Sequence, residues 1–350
     1  MRHKKKIVII DDSAFMRRVF SDIIKSDQRF DVVATANNGL KGLEIIEEYK
    51  PDAIILDINM PIMDGLDVLE ALQKKPFIPT IVASSIAEKG GYETIKALEL
   101  GAFDFIRKPE NIFHVKNTDF ITIFIEKLLL ALECNNCPRI IMTSEIKKTK
   151  TMNPNNTRDN KIIAIGCSTG GPKALHDIIP YLPKNLNSSI VIVQHMPKGF
   201  TKSLANRLND LSALTVKEAE HGEILESGTV YIAKGGHHMF IRKKNDKHII
   251  ELNQEPLRMS HRPSVNNMLD SLIHTSYDEI IGVILTGMGN DGTEGMFNLK
   301  ENKNTYVIAQ NEATCVVYGM PKSIVTNKLA DTILPIQDIT KTLMTKVGVL

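Results

Sequence analysis

Hydrophobic residues in the first third of the chain gather into short β-branched runs separated by longer stretches of helical period. The strand candidates are Lys6 to Ile10, Phe30 to Ala36, Ala53 to Leu56, Thr80 to Ala83 and Phe103 to Ile106. Between them apolar positions recur at three- and four-residue spacing, the mark of amphipathic helices. Five such alternations predict a doubly wound α/β domain with a buried parallel sheet. A helix from about Asp119 to Glu133, densely apolar at Leu128, Leu129 and Leu130, closes the segment. Residues 134–160 are rich in Asn, Lys and Thr and keep no period, which predicts an exposed linker.

The alternation restarts at residue 161. Ile162 to Ile165, Ser189 to Val193, Ile280 to Leu285 and Thr305 to Ala309 read as further buried strands. A block of short strands from about Leu214 to Leu252, including Thr229 to Ala233, Met239 to Arg242 and Lys247 to Leu252, predicts an antiparallel hairpin added to a mainly parallel sheet. Met320 to Leu329 reads as the last helix. The expected organisation is a doubly wound five-stranded domain over residues 1–133, a linker over 134–160, and a mainly parallel α/β domain over 161–350.

Chemistry-bearing residues sit where these strands stop. Gly166-Cys167-Ser168-Thr169-Gly170-Gly171 joins a strand to a helix through a tight glycine turn, so Ser168 projects its hydroxyl at a strand's carboxyl end. The turn also presents backbone N–H groups and a positive helix end, suited to a developing oxyanion. A phosphate-binding or purely structural turn would look the same. His195 follows a second strand and Asp291 a third, and in a parallel sheet all carboxyl ends share one edge. Convergence would let Ser168 attack, His195 carry its proton and Asp291 fix the imidazole tautomer. The order Ser, His, Asp differs from the Ser, Asp, His order of ordinary α/β-hydrolases. Cys167, next to the serine, is expected to face the core, since successive strand residues point to opposite sides.

In the first domain Asp11 and Asp12 close one strand, Asp57 another, Ser84 and Ser85 a third, and Lys108 with Pro109 a fourth. Converging carboxylates repel unless a hard cation or a cationic side chain neutralises them, and Mg²⁺ suits such oxygen donors. Asp57 at the centre could then attack phosphorus to form an acyl phosphate, with Lys108 and Ser84 holding the phosphoryl group. Asp12-Ser13 could instead cap the following helix, but four strand ends carrying the required chemistry argue against capping alone.

Composition narrows the classes. The 350 residues are 43% hydrophobic and 24% charged, ordinary globular material, and a formal charge of +2 with no basic stripe argues against nucleic acid as principal partner. No apolar run approaches the ~18 residues of a membrane span and no signal-peptide core precedes Asp11, so a cytoplasmic location without membrane insertion is expected. Four cysteines form no disulfide framework, and the spacing of Cys134 and Cys137 lacks a second ligand pair for a structural metal.

Two resemblances follow. Ile10-Asp11-Asp12-Ser13, Leu56-Asp57-Ile58-Asn59-Met60-Pro61-Ile62-Met63-Asp64-Gly65, Ser84-Ser85 and Lys108-Pro109 resemble a response-regulator receiver. That implies Asp57 as phosphoacceptor, Mg²⁺ on Asp11, Asp12, Asp57 and the Asn59 carbonyl, and Ser84 and Lys108 as switch residues. The second half resembles the catalytic domain of the chemotaxis protein-glutamate methylesterases through Gly166 to Gly171, Gln194-His195-Met196-Pro197, Arg262-Pro263-Ser264-Val265, Leu285 to Gly292 and Val316-Val317-Tyr318-Gly319-Met320-Pro321. This implies a Ser168, His195, Asp291 triad, with Thr169 and the Met288 N–H at the oxyanion and no cofactor for hydrolysis. The implied substrate is a glutamate methyl ester on the cytoplasmic helices of methylated chemoreceptors, cleaved to glutamate and methanol. Some members also deamidate glutamine. The implied phosphodonor is a chemotaxis sensor histidine kinase.

The sequence departs from the family at Cys167, usually Ala, at Lys234, commonly Pro, and in its longer linker. Arg258 and Arg262 are read as electrostatic guides for an acidic receptor surface. A dinucleotide-binding second domain would need Gly-x-Gly-x-x-Gly, and a transcriptional regulator a helix-turn-helix after Asn160; neither pattern is present.

Overall fold

The computed structural model describes residues 4–85, 88–109, 118–134 and 160–349. They fall into two compact units that divide between Ile141 and Met142. The expected linker lies almost wholly outside the described residues, as does Cys137, whereas Cys134 is half-buried.

In the first unit β1 (Lys5–Ile10), β2 (Phe30–Ala36), β3 (Ala53–Asp57), β4 (Thr80–Ser84) and β5 (Asp104–Arg107) form one parallel sheet in the order β2-β1-β3-β4-β5. The apolar runs become these strands because helices cover both faces: all five residues of β3 and all five of β4 are buried. Chain order reverses between β1 and β3, and Ile10 pairs with Leu56 there, so Asp11 and Asp57 leave the sheet side by side. Such a reversal opens the crevice in which open α/β sheets bind ligands. Helix Gly65–Leu72 follows β3 after the loop of residues 58–64 and is capped by Asp64, which accepts the Asp67 N–H while Asp67 accepts that of Asp64.

The second unit has a seven-stranded sheet, parallel throughout. It comprises β6 (Lys161–Cys167), β7 (Ser189–Gln194), β8 (Thr215–Glu218), β9 (Thr229–Ile232), β12 (Glu279–Ile284), β13 (Thr305–Gln310) and β14 (Thr332–Leu334), in the order β14-β13-β12-β6-β7-β9-β8. The antiparallel hairpin is β10 (His238–Lys244) with β11 (Lys247–Asn253), a separate two-stranded sheet. The sequence block from Leu214 to Leu252 thus splits, its first two strands joining the parallel sheet. Met320–Thr326 is shorter than expected and is not the last helix: β14 and helix Ile336–Lys346 follow. A three-residue edge strand carries no readable period. The helix, however, buries Ile336, Ile339, Thr340 and Leu343, a helical pattern that the sequence displays.

Chain order reverses again at β6, which lies between β12 and β7. Cys167 pairs with Gln194 and Ile284 with Gly166, so the turns after the three strands meet at one edge.

Two glycines contrast in what they exclude. A Cβ on Gly65 would run into the Asp57 carbonyl oxygen and Ile58 Cα, backbone that cannot yield; one on Gly282 would meet only the flexible end of Met296. Gly65→Ala is expected to cost about 1–3 kcal/mol and Gly282→Ala distinctly less. Denaturant unfolding of the two variants checks this, and equal losses would contradict it.

Candidate functional site

In the second unit the three strand ends bring their polar residues together. His195 N–H donates to the Cys167 carbonyl at 3.1 Å, placing His195 one rung from Ser168. Its ring Nε2 lies 2.8 Å from Asp291 Oδ2. Asp291 is 2% exposed and takes three further bonds, from the Ser264 hydroxyl (3.0 Å), the Val265 N–H (2.8 Å) and the Asn266 N–H (3.0 Å). The two amides open helix Val265–Leu272, so the carboxylate caps a positive helix end. Burial pushes its pKa up, but the His195 bond and charge and the two amides outweigh this and hold Asp291 down at about 2.

Asp291 is positioned from its own side as well. Asn266 Oδ1 accepts the Gly292 N–H at 3.0 Å and the Gly295 N–H at 2.7 Å, fixing the start of helix Thr293–Asn302. Gly292 there has φ 99°, a left-handed turn that glycine alone adopts freely.

Ser168 is half-buried and its backbone is tied on both sides: its N–H donates to Thr286 O at 3.0 Å, and its carbonyl accepts Gly171 N–H at 2.8 Å and Gln194 Nε2 at 3.0 Å. Any Cβ on Gly171 would collide with Gln194 Oε1. The hydroxyl itself is not hydrogen-bonded to the imidazole: His195 Nδ1 is buried and has no partner among the described residues. Such bonds often form only once substrate is seated. The ring therefore gives Nε2 to the carboxylate, and Nδ1 is the nitrogen left without a partner among the described residues.

Thr169 is buried behind Ser168, and its carbonyl accepts the Thr286 hydroxyl at 2.9 Å. The same hydroxyl accepts the N–H groups of Val316 (3.1 Å) and Val317 (3.0 Å), pinning the segment after β13 against the turn. Met288 lies on the exposed rim, and its N–H makes no backbone hydrogen bond among the described residues. Cys167 is fully buried as expected, its thiol 3.8 Å from the Val193 carbonyl and pushed up strongly by burial.

The two arginines are committed internally. Arg258 donates to Asp270 at 2.6 Å, Asn267 at 2.8 Å and Glu294 at 2.8 Å, while Arg262 donates to the Gln254 and Glu255 carbonyls. Arg258 is thus neutralised by two carboxylates, whereas Arg262 is held by carbonyls that leave its charge in place.

In the first unit Asp11, Asp12 and Asp57 each bring a carboxylate oxygen within 4.8 Å of the others. Lys108 Nζ lies 2.8 Å from both Asp11 Oδ2 and Asp57 Oδ2. Burial pushes Asp57 up to about 6; Lys108 pulls it down, and Asp11 and Asp12 push it up further. Three carboxylates against one ammonium leave an excess of negative charge at a shallow oxygen-lined site, which fits a divalent cation. Asn59 is exposed two residues past Asp57. Ser84 is buried at the end of β4, accepts the Thr94 hydroxyl at 2.6 Å and donates to the Ser85 carbonyl at 3.3 Å. Lys108 N–H donates to Ser84 O at 2.8 Å.

Three residues went unassigned at the sequence level: Ser264 and Asn266, which hold Asp291, and His261, whose ring stacks on that of His195. The available signal was a Pro263-Ser264 pair just before a helical apolar run, which marks a helix start.

Comparison with known proteins agrees with both halves. The family model for the response regulator receiver domain matches residues 7–117 and that for CheB methylesterase residues 163–343. A protein-glutamate methylesterase/protein-glutamine glutaminase of Syntrophomonas wolfei is 41% identical over 97% of this chain and 98% of its own. One of Oceanobacillus iheyensis is 44% identical over 94% and 95%. The crystal structure of the Thermotoga maritima CheB methylesterase catalytic domain is 49% identical, covering 53% of this chain and 98% of that one, with a TM-score of 0.51. The chain is a response regulator whose output unit is an α/β domain of enzyme type. It belongs to the CheB methylesterase family. A receiver of this kind implies Mg²⁺-dependent phosphorylation from a kinase.

The depressed Asp291 sets a pH test. A carboxylate whose folded pKa lies below its unfolded value of ~3.9 stabilises the fold above that value and loses this as pH falls through the folded pKa. Asp291→Asn should therefore cost on the order of 2 kcal/mol at pH 7, with the deficit closing between about pH 4 and pH 2. Denaturant unfolding across that range measures it; a pH-independent deficit would refute the charge as its source.

Proposed function

We propose that this chain is a phosphorylation-regulated serine esterase that hydrolyses glutamate methyl esters on the cytoplasmic helices of chemoreceptors. Residues 1–133 form the receiver, 134–160 the connection and 161–350 the catalytic domain. The observation that carries the reading is the His195–Asp291 pair at 2.8 Å, one rung from a serine on a glycine turn at the sheet's reversal point. Its relatives' names, protein-glutamate methylesterase/protein-glutamine glutaminase, support the substrate and extend it to receptor glutamines.

Hydrolysis then runs on side chains and backbone. Ser168 Oγ attacks the ester carbonyl while His195 Nδ1 takes its proton, Nε2–H staying on Asp291. The resulting imidazolium is stabilised by a carboxylate already ionised at pH 7, so no proton need pass to Asp291. The oxyanion faces the Met288 N–H and Thr169. Collapse expels methanol, protonated by His195, and water then releases glutamate by the same steps in reverse. With glutamine in place of the ester, the leaving group is ammonia.

In the receiver Asp57 accepts the phosphoryl group and Lys108 and Ser84 contact it; Asp11, Asp12, Asp57 and the Asn59 carbonyl would hold Mg²⁺, which would supply charge neutralisation. The donor is a sensor histidine kinase of the chemotaxis class. Both partners place the enzyme in the cytoplasm; among the described residues no helix is long and apolar enough to cross a membrane.

Methanol release from methylated receptor tests the catalytic reading. Ser168→Ala should lower turnover by roughly 10³-fold or more with an unchanged Tm, and near wild-type turnover would sink the serine mechanism.

For the receiver, Asp57→Asn should stay at the basal rate whatever small phosphodonor and Mg²⁺ are supplied, while the wild type rises. An equal rise in the variant would move the phosphoacceptor elsewhere.

A further inference from the structure

His195 makes a single ring hydrogen bond, Nε2 to Asp291, and its Nδ1 has no partner among the described residues. One bond fixes a nitrogen but leaves the plane of the ring to turn about it. The neighbour that constrains the plane is His261, whose ring lies parallel to that of His195 with centroids 3.8 Å apart and planes 14° from parallel.

His261 is delivered by a closed turn. Arg258 N–H donates to His261 O at 3.2 Å and His261 N–H returns to Arg258 O at 3.0 Å. The two residues between, Met259 (φ 51°) and Ser260 (φ 65°), are both left-handed without being glycine, which side chains resist. The surroundings over-determine this shape. Arg258 is clamped to Asp270, Asn267 and Glu294, and Asn266 Nδ2 reaches Met259 Sδ at 3.3 Å. Asn266 and the Arg258 partner Glu294 flank the same turn that carries Asp291, so the carboxylate and the stacked ring are set by one framework.

We propose that His261 is a positioning residue, stacked on His195 so that the base keeps Nε2 on Asp291 and Nδ1 toward Ser168. The inference rests on His195 being the base. His261 suits the task electrostatically: burial, and then the His195 charge, push it down to about 4, so at neutral pH it is an uncharged ring that adds no repulsion when His195 becomes imidazolium. A face of the imidazole is also closed to water, leaving the edge with Nδ1 as its working side.

The test uses the full-length chain activated with a small phosphodonor, with methylated receptor as substrate. His261→Ala should lower kcat roughly tenfold or more with little change in KM. His261→Phe, which keeps a flat ring without nitrogens, should restore most of it. Wild-type kcat in His261→Ala overturns the proposal, and so does a His261→Phe as impaired as the alanine variant, which would assign the effect to an imidazole nitrogen. If His261→Ala melts early, the phenylalanine variant decides alone: kcat within a few-fold of wild type supports the stack, and a tenfold loss with normal Tm refutes it. His195→Gln, run alongside, separates the two levels, since full turnover there removes the base reading itself.

Discussion

A carboxylate sealed from water must be matched by its surroundings, and the second unit is organised around one such group. Asp291 accepts from the His195 ring, the Ser264 hydroxyl and two amides at a helix start, four donors drawn from two separate stretches of chain. Removing any one would leave part of a buried charge unpaired, a far larger penalty than a surface bond carries. The glycine at 292, the Asn266 side chain and the parallel register of β12, β6 and β7 can each be understood as conditions for this one carboxylate to be ionised beside an imidazole.

The first unit faces the same problem and resolves it oppositely. Asp57 is also buried at a strand end, yet no helix start caps it, and its partner is Lys108, shared with Asp11. Burial therefore prevails, and Asp57 is pushed up to about 6 where Asp291 is held at about 2. The contrast is chemical. A carboxylate held as a fixed charge gains from neutral donors, whereas one in the phosphoacceptor role proposed for Asp57 would be better left short of partners.

Much of this was legible in the sequence because strands of parallel sheets stop abruptly at polar residues. All five receiver strands fall within a residue or so of their expected places, and Ser168, His195 and Asp291 do lie at one edge. Legibility ended where side chains act across the chain. Nothing local marks Ser264 as a donor to Asp291 rather than to its own helix, or His261 as a stacking partner 66 positions from His195. Arg258 illustrates the reverse case: a cation that looks available in sequence is already held by two carboxylates in the fold, while Arg262, bonded to two carbonyls, keeps its charge. The short strand β14 was missed because three residues cannot display a period, and the split of the Leu214 to Leu252 block because pairing partners are set by tertiary register.

Regulation needs little energy by comparison with either buried charge. A tenfold change in activity corresponds to about 1.4 kcal/mol, the scale of one or two exchanged hydrogen bonds. Ser84 is placed to exchange them: its hydroxyl now bonds Thr94 on helix Glu88–Glu99 and the Ser85 carbonyl. A phosphoryl group on Asp57 would offer that hydroxyl a charged acceptor stronger than a neutral carbonyl. Turning toward it would change the Thr94 bond, so the helix that carries Thr94 would sense the modification. In the proposed enzyme, then, the signal would be read by a hydroxyl bonded to neutral neighbours, while the proposed hydrolytic site is built around a carboxylate held ionised by its four donors.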